Sequence, residues 1–204
     1  MRKNGDFKIG YTIEFYPEEG KYHFSGHRNC KVVRDPTVLR VEGDVCPVCK
    51  KRLTEGVLVR VQQLASDTLL DRTQKKMSPK GIQWFTDGSK NHPPYVKLVQ
   101  LQQIIAEATQ STVFSQKVKS QFEALCKEFG SEITVLLKTP ISDIQKVAGP
   151  KIADGIKRVR EGSIVIDPGF DGEYGKVEIW KHEQVSGKHE TKEALKEESQ
   201  LGLF

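Results

Sequence analysis

No window of this chain approaches eighteen consecutive apolar residues, which excludes a membrane-spanning helix as a reading of the sequence. The N-terminus, MRKNGDFKIG, has a basic start but no apolar segment behind it. That excludes a secretory signal and makes the cytoplasm the expected location. No G-x-x-x-x-G-K-[S/T] run is present to cradle the phosphates of ATP. No H-x-H is present either, and the five histidines, His23, His27, His92, His182 and His189, do not gather with aspartates into a two-metal site. Charge of one sign is scarce: 32 Lys and Arg stand against 27 Asp and Glu, a formal net charge of +5. So weak a basic balance permits nucleic acid as a partner without demanding it. Cysteine is limited to Cys30, Cys46, Cys49 and Cys126. Without a secretory signal, that cluster reads as metal or redox chemistry rather than a disulfide scaffold.

What is present is 204 residues, 37% apolar and 29% charged, enough for one medium domain or two small ones. Residues 7–24 alternate apolar and polar side chains, which predicts two short strands around the turn Pro17-Glu-Glu-Gly20. The run VLVRVQQLA at 57–65 is compatible with strand or helix. Residues 66–94 carry Gly, Pro and scattered charge without periodicity and read as a long surface loop. Leu98, Leu101, Ile104, Ile105 and Ala108 share one helical face. After QSTV, Val118, Phe122, Leu125 and Phe129 do the same, with Gly130 as a C-terminal cap. The run ITVLL at 133–137 reads as a short strand or buried turn, and SIVIDPGFDGEYGKVEIW as two strands around a Gly-rich turn. From His182 to Gln200 the chain is charged and nearly without apolar residues, a solvated tail. The expected fold is α+β. A small zinc-stapled β module over 7–65 and a long loop over 66–94 precede a mainly helical module over 95–180 and a flexible tail over 181–204.

His27-Arg-Asn-Cys30 and Cys46-Pro-Val-Cys49 form an H-x-x-C and C-x-x-C pair. Two ligands three positions apart curl around one ion in a tight knuckle, and two knuckles complete a tetrahedron of the kind zinc prefers. A structural Zn²⁺ would replace the core that residues 25–56 are too polar to build. His23 is an alternative fourth ligand; the spacing of His27 to Cys30, which mirrors Cys46 to Cys49, favours His27. A metal-free pair of buried thiols and a redox disulfide are the rival readings of C-x-x-C. Cys126 lies on an apolar helical stripe and reads as core.

Residues 139–161, TPISDIQKVAGPKIADGIKRVRE, read as two short helices around Ala148-Gly149-Pro150, with Thr139 as N-cap and Pro140 at the first helical position. Ile141, Ile144 and Val147 face inward from the first helix, and Ile152, Ile156 and Val159 from the second. Lys151, Lys157, Arg158 and Arg160 project. The pattern resembles a helix-hairpin-helix motif, in which backbone N–H groups and a helix N-terminus hold a phosphate without reading sequence. Gly149, Lys151, Lys157 and Arg158 are therefore the candidate nucleic-acid contacts, against the plainer reading of an αα packing unit. The last five residues, Gln200-Leu201-Gly-Leu203-Phe204, resemble the short peptide by which replication and repair proteins dock on the DNA sliding clamp. Gln200 would supply amide hydrogen bonds, and Leu201, Leu203 and Phe204 would fill apolar pockets; a tail folded back on the body is the rival.

EFYPEEGKYHFSGHRNC at 14–30, CPVCKKRLTEGV at 46–57, RVQQLA at 60–65, FGSEITVLL, GPKIADGIKRVREG and PGFDGEYG together resemble the endonuclease Q family of DNA repair endonucleases, often catalogued as PHP-domain or helicase-like proteins. The resemblance supports zinc at His27, Cys30, Cys46 and Cys49. It implies a role on DNA with deaminated bases, where the enzyme nicks the strand beside the lesion. Full members carry a PHP nuclease domain with catalytic metals, and no such His and Asp cluster occurs here. The expected function is therefore damaged-DNA recognition without a nuclease site, with a separate PHP nuclease subunit as a possible partner. Two alternatives remain open: a complete metal-dependent nuclease or helicase-like enzyme, and a zinc-stabilised protein-interaction module without DNA affinity.

Overall fold

The N-terminal third has few apolar residues to bury, and it is built of correspondingly short elements. In the computed structural model, which describes residues 9–65, 73–88 and 92–180, these are β1 (Thr12–Glu14), β2 (Ser25–His27), β3 (Val32–Arg34), α1 (Pro36–Glu42) and α2 (Val57–Leu64). Asp35 caps α1: its carboxylate accepts from the Thr37 and Val38 N–H groups, and Pro36 occupies the first turn. The expected hairpin around Pro17 does not form. Pro17–Glu19 closes a single 3₁₀ turn, and Gly20 leaves it in an extended conformation (φ −65°, ψ 139°), so the chain travels on instead of doubling back. The next strand, β2, pairs antiparallel with β3. The ambiguous run at 57–65 is helical.

The partner of β1 comes from eighty residues further on. β4 (Thr73–Met77), β5 (Gln83–Asp87) and β6 (Tyr95–Lys97) join it in a four-stranded sheet of order β1-β6-β5-β4. β1 and β6 are parallel, with Ile13 opposite Val96, and the other pairs are antiparallel. The segment expected as one long loop over 66–94 therefore carries a β-hairpin. Its turn is closed by the Ser78 N–H donating to the Ile82 carbonyl and by the Ile82 N–H donating to Ser78 Oγ. The hairpin escapes a periodicity test because β4 (TQKKM) is exposed along its whole length. Only Ile82 and Trp84 reach the core.

Beyond the sheet, five helices enclose the apolar core: α3 (Leu101–Thr109), α4 (Gln116–Phe129), α5 (Glu132–Leu137), α6 (Ile141–Ala148) and α7 (Pro150–Glu161). Ser115 and Ser131 cap α4 and α5 through their hydroxyls, which accept from Val118 and Thr134 N–H. The ITVLL run is thus helix, not strand. A capped start and a following turn outweigh the β-branched composition once Val135, Leu136 and Leu137 are all buried. α6 begins one residue later than expected, at Ile141, with Pro140 at the cap. Thr139 instead donates its hydroxyl to the Thr134 carbonyl and closes α5. Gly149 joins α6 to α7 at φ +83°, which favours glycine. β7 (Val165–Asp167) and β8 (Lys176–Glu178) form a final antiparallel pair. Phe24 bridges to Phe170, so the start of the cysteine-bearing segment is tied to the turn of this hairpin.

Arg160 departs most from its expected place. It does not project: it is 2% exposed, and its guanidinium donates to the carbonyls of Val135, Leu136 and Thr139 at 2.8, 2.8 and 2.6 Å. These are acceptors at the end of α5 with no helical partner of their own, and a forked cation satisfies them together. Replacing it by an apolar side chain of similar length leaves those acceptors buried and unpaired. Arg160→Met should therefore cost about 3 kcal/mol of stability, read as a lower urea midpoint with unchanged slope.

Candidate metal centre and nucleic-acid interface

His27 ends β2, and a 3₁₀ turn over Arg28–Cys30 brings Cys30 back toward it. The second knuckle closes similarly: the Lys50 N–H donates to the Cys46 carbonyl at 3.0 Å, and the Cys46 N–H donates to the Lys51 carbonyl at 2.8 Å. Each knuckle is followed by a lysine in the left-handed region, Lys31 at φ 52° and Lys50 at φ 62°. The ligand atoms of His27, Cys30, Cys46 and Cys49 all lie within 4.8 Å of one another, with His27 Nδ1 at 3.4 Å from Cys49 Sγ. Zn–S bonds of about 2.3 Å in a tetrahedron separate sulfurs by about 3.8 Å, so the four donors fit one ion such as zinc with little movement. Three thiols and one imidazole are the donor set a borderline-soft cation selects. His23 is not among them. Its buried ring packs on Phe24 with centroids 4.9 Å apart, and burial holds its imidazole below the usual range.

The thiols are electrostatically unequal. The backbone N–H of Cys49, against the opposing effect of burial, and then that of Val48 pull Cys46 down to about 6. Burial, and then the neighbouring Cys49 and Cys46 thiols, push Cys30 up to about 11. Thiolates crowded this closely repel one another, and a divalent cation would offset that repulsion. Cys126 takes no part: it packs at the edge of the helical core, where burial raises its thiol.

Two residues outside the expected ligand set hold this site: Arg34, which the sequence did not single out, and Asp171, which with Asp167 and Glu173 reads from sequence as turn chemistry. Asp171, at φ 44° in the Gly-rich turn, accepts from the Arg28 N–H at 2.8 Å and from the Thr54 hydroxyl. One carboxylate from the far end of the chain thus ties the first knuckle to the strand-like segment after the second. Burial opposes its ionisation, but those two donors prevail and hold it below the usual carboxylate range. Arg34 is buried and donates to the carbonyls of Glu42, Gly43 and Val45, knitting the loop that leads into Cys46. Asp171 leaves no local signal because it lies 143 positions from Arg28, and Arg34 leaves none because its acceptors are backbone carbonyls that every residue carries.

At the helical hairpin, Gly149 and Lys151 come together at the tip. Lys157 and Arg158 lie six and seven residues further along α7, about 9–10 Å up its axis. Lys157 approaches Glu161 at 4.0 Å, and Arg158 is paired with Asp154 at 2.9 Å. Trp180, another residue missed from sequence, organises this corner. Its ring lies beneath the Lys151 ammonium, 4.0 Å from nitrogen to centroid, and its indole N–H donates to Asp154 at 2.8 Å. Gln200, Leu201, Leu203 and Phe204 lie outside the described residues.

Residues 100–163 match the family model described as the MJ0043 C-terminal domain. The chain is 30% identical to the uncharacterised protein MJ0043 of Methanocaldococcus jannaschii, over 83% of this chain and 20% of that protein. It is 27% identical to the uncharacterised protein YqxK of Bacillus subtilis, over 87% of this chain and 38% of that one. Among solved structures it is similar to the lesion-specific endonuclease PfuEndoQ of Pyrococcus furiosus, with a TM-score of 0.62 and 30% identity over 81% of this chain and 37% of that chain. It is equally similar, at a TM-score of 0.62 and 30% identity, to endonuclease Q in complex with a 27-mer duplex substrate carrying an abasic lesion, over 85% of this chain and 39% of that one. The chain thus spans between a fifth and two-fifths of these relatives and resembles a part of larger proteins. Among the described residues, no helix is long and apolar enough to cross a membrane.

The clamp at Asp171 is directly testable. Asp171→Asn replaces one charged acceptor with a donor facing a donor, and should cost about 1–2 kcal/mol. It should also hasten metal transfer to a chromogenic chelator, with the cysteine count unchanged.

Proposed function

We propose that this chain is a DNA-binding and damage-recognition unit of an endonuclease Q-like repair system that acts on deaminated bases, with the nuclease chemistry supplied by other protein. The likeness to a lesion-specific endonuclease, held over four-fifths of the chain at 30% identity, carries the proposal. The similar endonuclease Q was crystallised with duplex DNA, which supports DNA as the partner. Zinc at His27, Cys30, Cys46 and Cys49 is proposed as a structural ion: four protein donors leave no open position for a reacting water. Among the described residues, that quartet is also the one cluster suited to a metal. Residues 7–65 and 95–180 are proposed as the zinc and DNA-binding modules.

In this reading the turn at Gly149 presents the first N–H groups of α7 to a backbone phosphate, and Lys151, steadied by Trp180, adds charge beside it. Lys157 and Arg158 extend the positive field along the helix. Such contacts position a duplex without reading its bases. Duplex affinity should fall steeply with salt, and Lys151→Glu should weaken binding to any sequence while flattening the salt slope by about one unit. An unchanged slope would leave the hairpin as a packing unit and favour a protein-interaction role. The purified chain, tested on uracil- or hypoxanthine-containing duplex with Mg²⁺ or Mn²⁺, should bind without nicking; nicking would establish a complete enzyme instead. Elemental analysis should find one zinc per chain, and none would remove the metal from the account.

The terminal peptide Gln200–Phe204 is proposed to recruit the chain to the DNA sliding clamp. Deleting residues 200–204 should abolish clamp pull-down and leave duplex affinity intact; retained pull-down would reject the assignment.

A further inference from the structure

α3 and α7 run antiparallel. Ile104 packs against Gly155, and one turn further along each helix, in opposite chain directions, Glu107 and Lys151 meet at Trp180. Glu107 accepts from the Trp180 N–H at 3.0 Å, and the Trp180 ring carries Lys151. The C-terminus of α3, the N-terminus of α7 and the turn at Gly149 therefore share one end of the helical bundle. The α3–α4 connection starts from that same end. It is tightly built: Gln110 sits in the left-handed region, the Ser111 N–H donates to Ala106, the Ser115 N–H donates to Thr112, and Ser115 caps α4. Val113 packs on the core, while its neighbour Phe114 is 98% exposed, the most exposed large apolar side chain among the described residues. Lys117 and Lys119 follow in the first turns of α4, which has no acidic residue in its first turn; Lys119 approaches Glu123 one turn on at 3.9 Å.

We propose that Phe114 is a wedge that inserts between stacked base pairs of the duplex whose backbone is held at Gly149 and Lys151. The inference rests on the DNA-binding reading and adds a residue to it. A flexible loop would fold an aromatic ring onto nearby apolar surface; this turn holds the ring out in water, beside lysines and at the phosphate-holding end. Apolar side chains presented in this way to a gripped duplex unstack a base step and kink it. Cationic surroundings favour nucleic acid over an apolar protein groove as the occupant. Phe114 lies outside the apolar helical stripes, which is why periodicity gives it no role.

The test uses the full chain and a duplex with 2-aminopurine at successive positions, together with end-labelled duplex for energy transfer. Binding should raise 2-aminopurine emission at one step and shorten the end-to-end distance. Phe114→Ala should keep the melting curve, lose both signals and bind intact duplex roughly tenfold more weakly. Phe114→Leu should retain part of each, and the Phe114→Ala deficit should shrink on a duplex already unstacked by a mismatch. Lys151→Glu should lower affinity but keep the emission of each bound complex. Duplex binding with the same affinity and emission for Phe114→Ala as for the parent would overturn the wedge while leaving DNA binding in place. No duplex binding by the parent chain would reject the DNA reading itself and the wedge with it.

Discussion

Two tight knuckles in a segment without a core must meet at one point. His27 and Cys30 on one side, and Cys46 and Cys49 on the other, bring four soft donors within 4.8 Å of one another, and the peptide between them contributes little apolar burial. What holds that segment is polar: Arg34 gathers three carbonyls before Cys46, and Asp171 fastens the backbone after His27. A cation that neutralises three crowded thiols completes the same scheme. The polar groups and donors of the segment converge, and Asp171 and the ion pair of Lys31 with Glu173 join it to the turn between β7 and β8.

The helical part solves a different problem. Its core is amply apolar, and the difficulty lies at the helix ends, where carbonyls and N–H groups run out of partners. At one end Arg160 takes up the carbonyls that α5 leaves behind. At the other end, Gly149 turns the chain sharply and Pro150 occupies the first helical position without wasting a donor. Trp180 belongs to that second end, where it joins Lys151, Asp154 and the α3 carboxylate of Glu107 into one corner.

The relatives place these two parts within larger proteins. The solved endonuclease Q chains are more than twice as long as the region shared with this chain. Four donors that could close around one metal ion, and a helical hairpin proposed to hold phosphate, are parts suited to binding and positioning. In the proposed system, cleavage belongs to the remainder of such a protein.

Local spacing was enough to read the convergence of His27, Cys30, Cys46 and Cys49 into a group that could hold a metal, the two hairpin helices with Gly149 between them, the apolar stripes of α3 and α4, and the mixed α+β class. Each of these is written within a few turns of chain, where ligand spacing, helical period or backbone freedom acts directly. Tertiary structure alone decided the rest. β1 pairs with β6 across eighty residues, an exposed hairpin emerges from an apparent loop, Arg160 turns inward, and Asp171 reaches the first metal knuckle. The physical reason is common to all four. Where a strand is exposed, its side chains need no alternation, and where a charged group is tied in, its partners are carbonyls and amides that every residue carries, or a hydroxyl 117 positions away. Neither leaves a mark in the order of side chains, and only the folded chain brings the groups together.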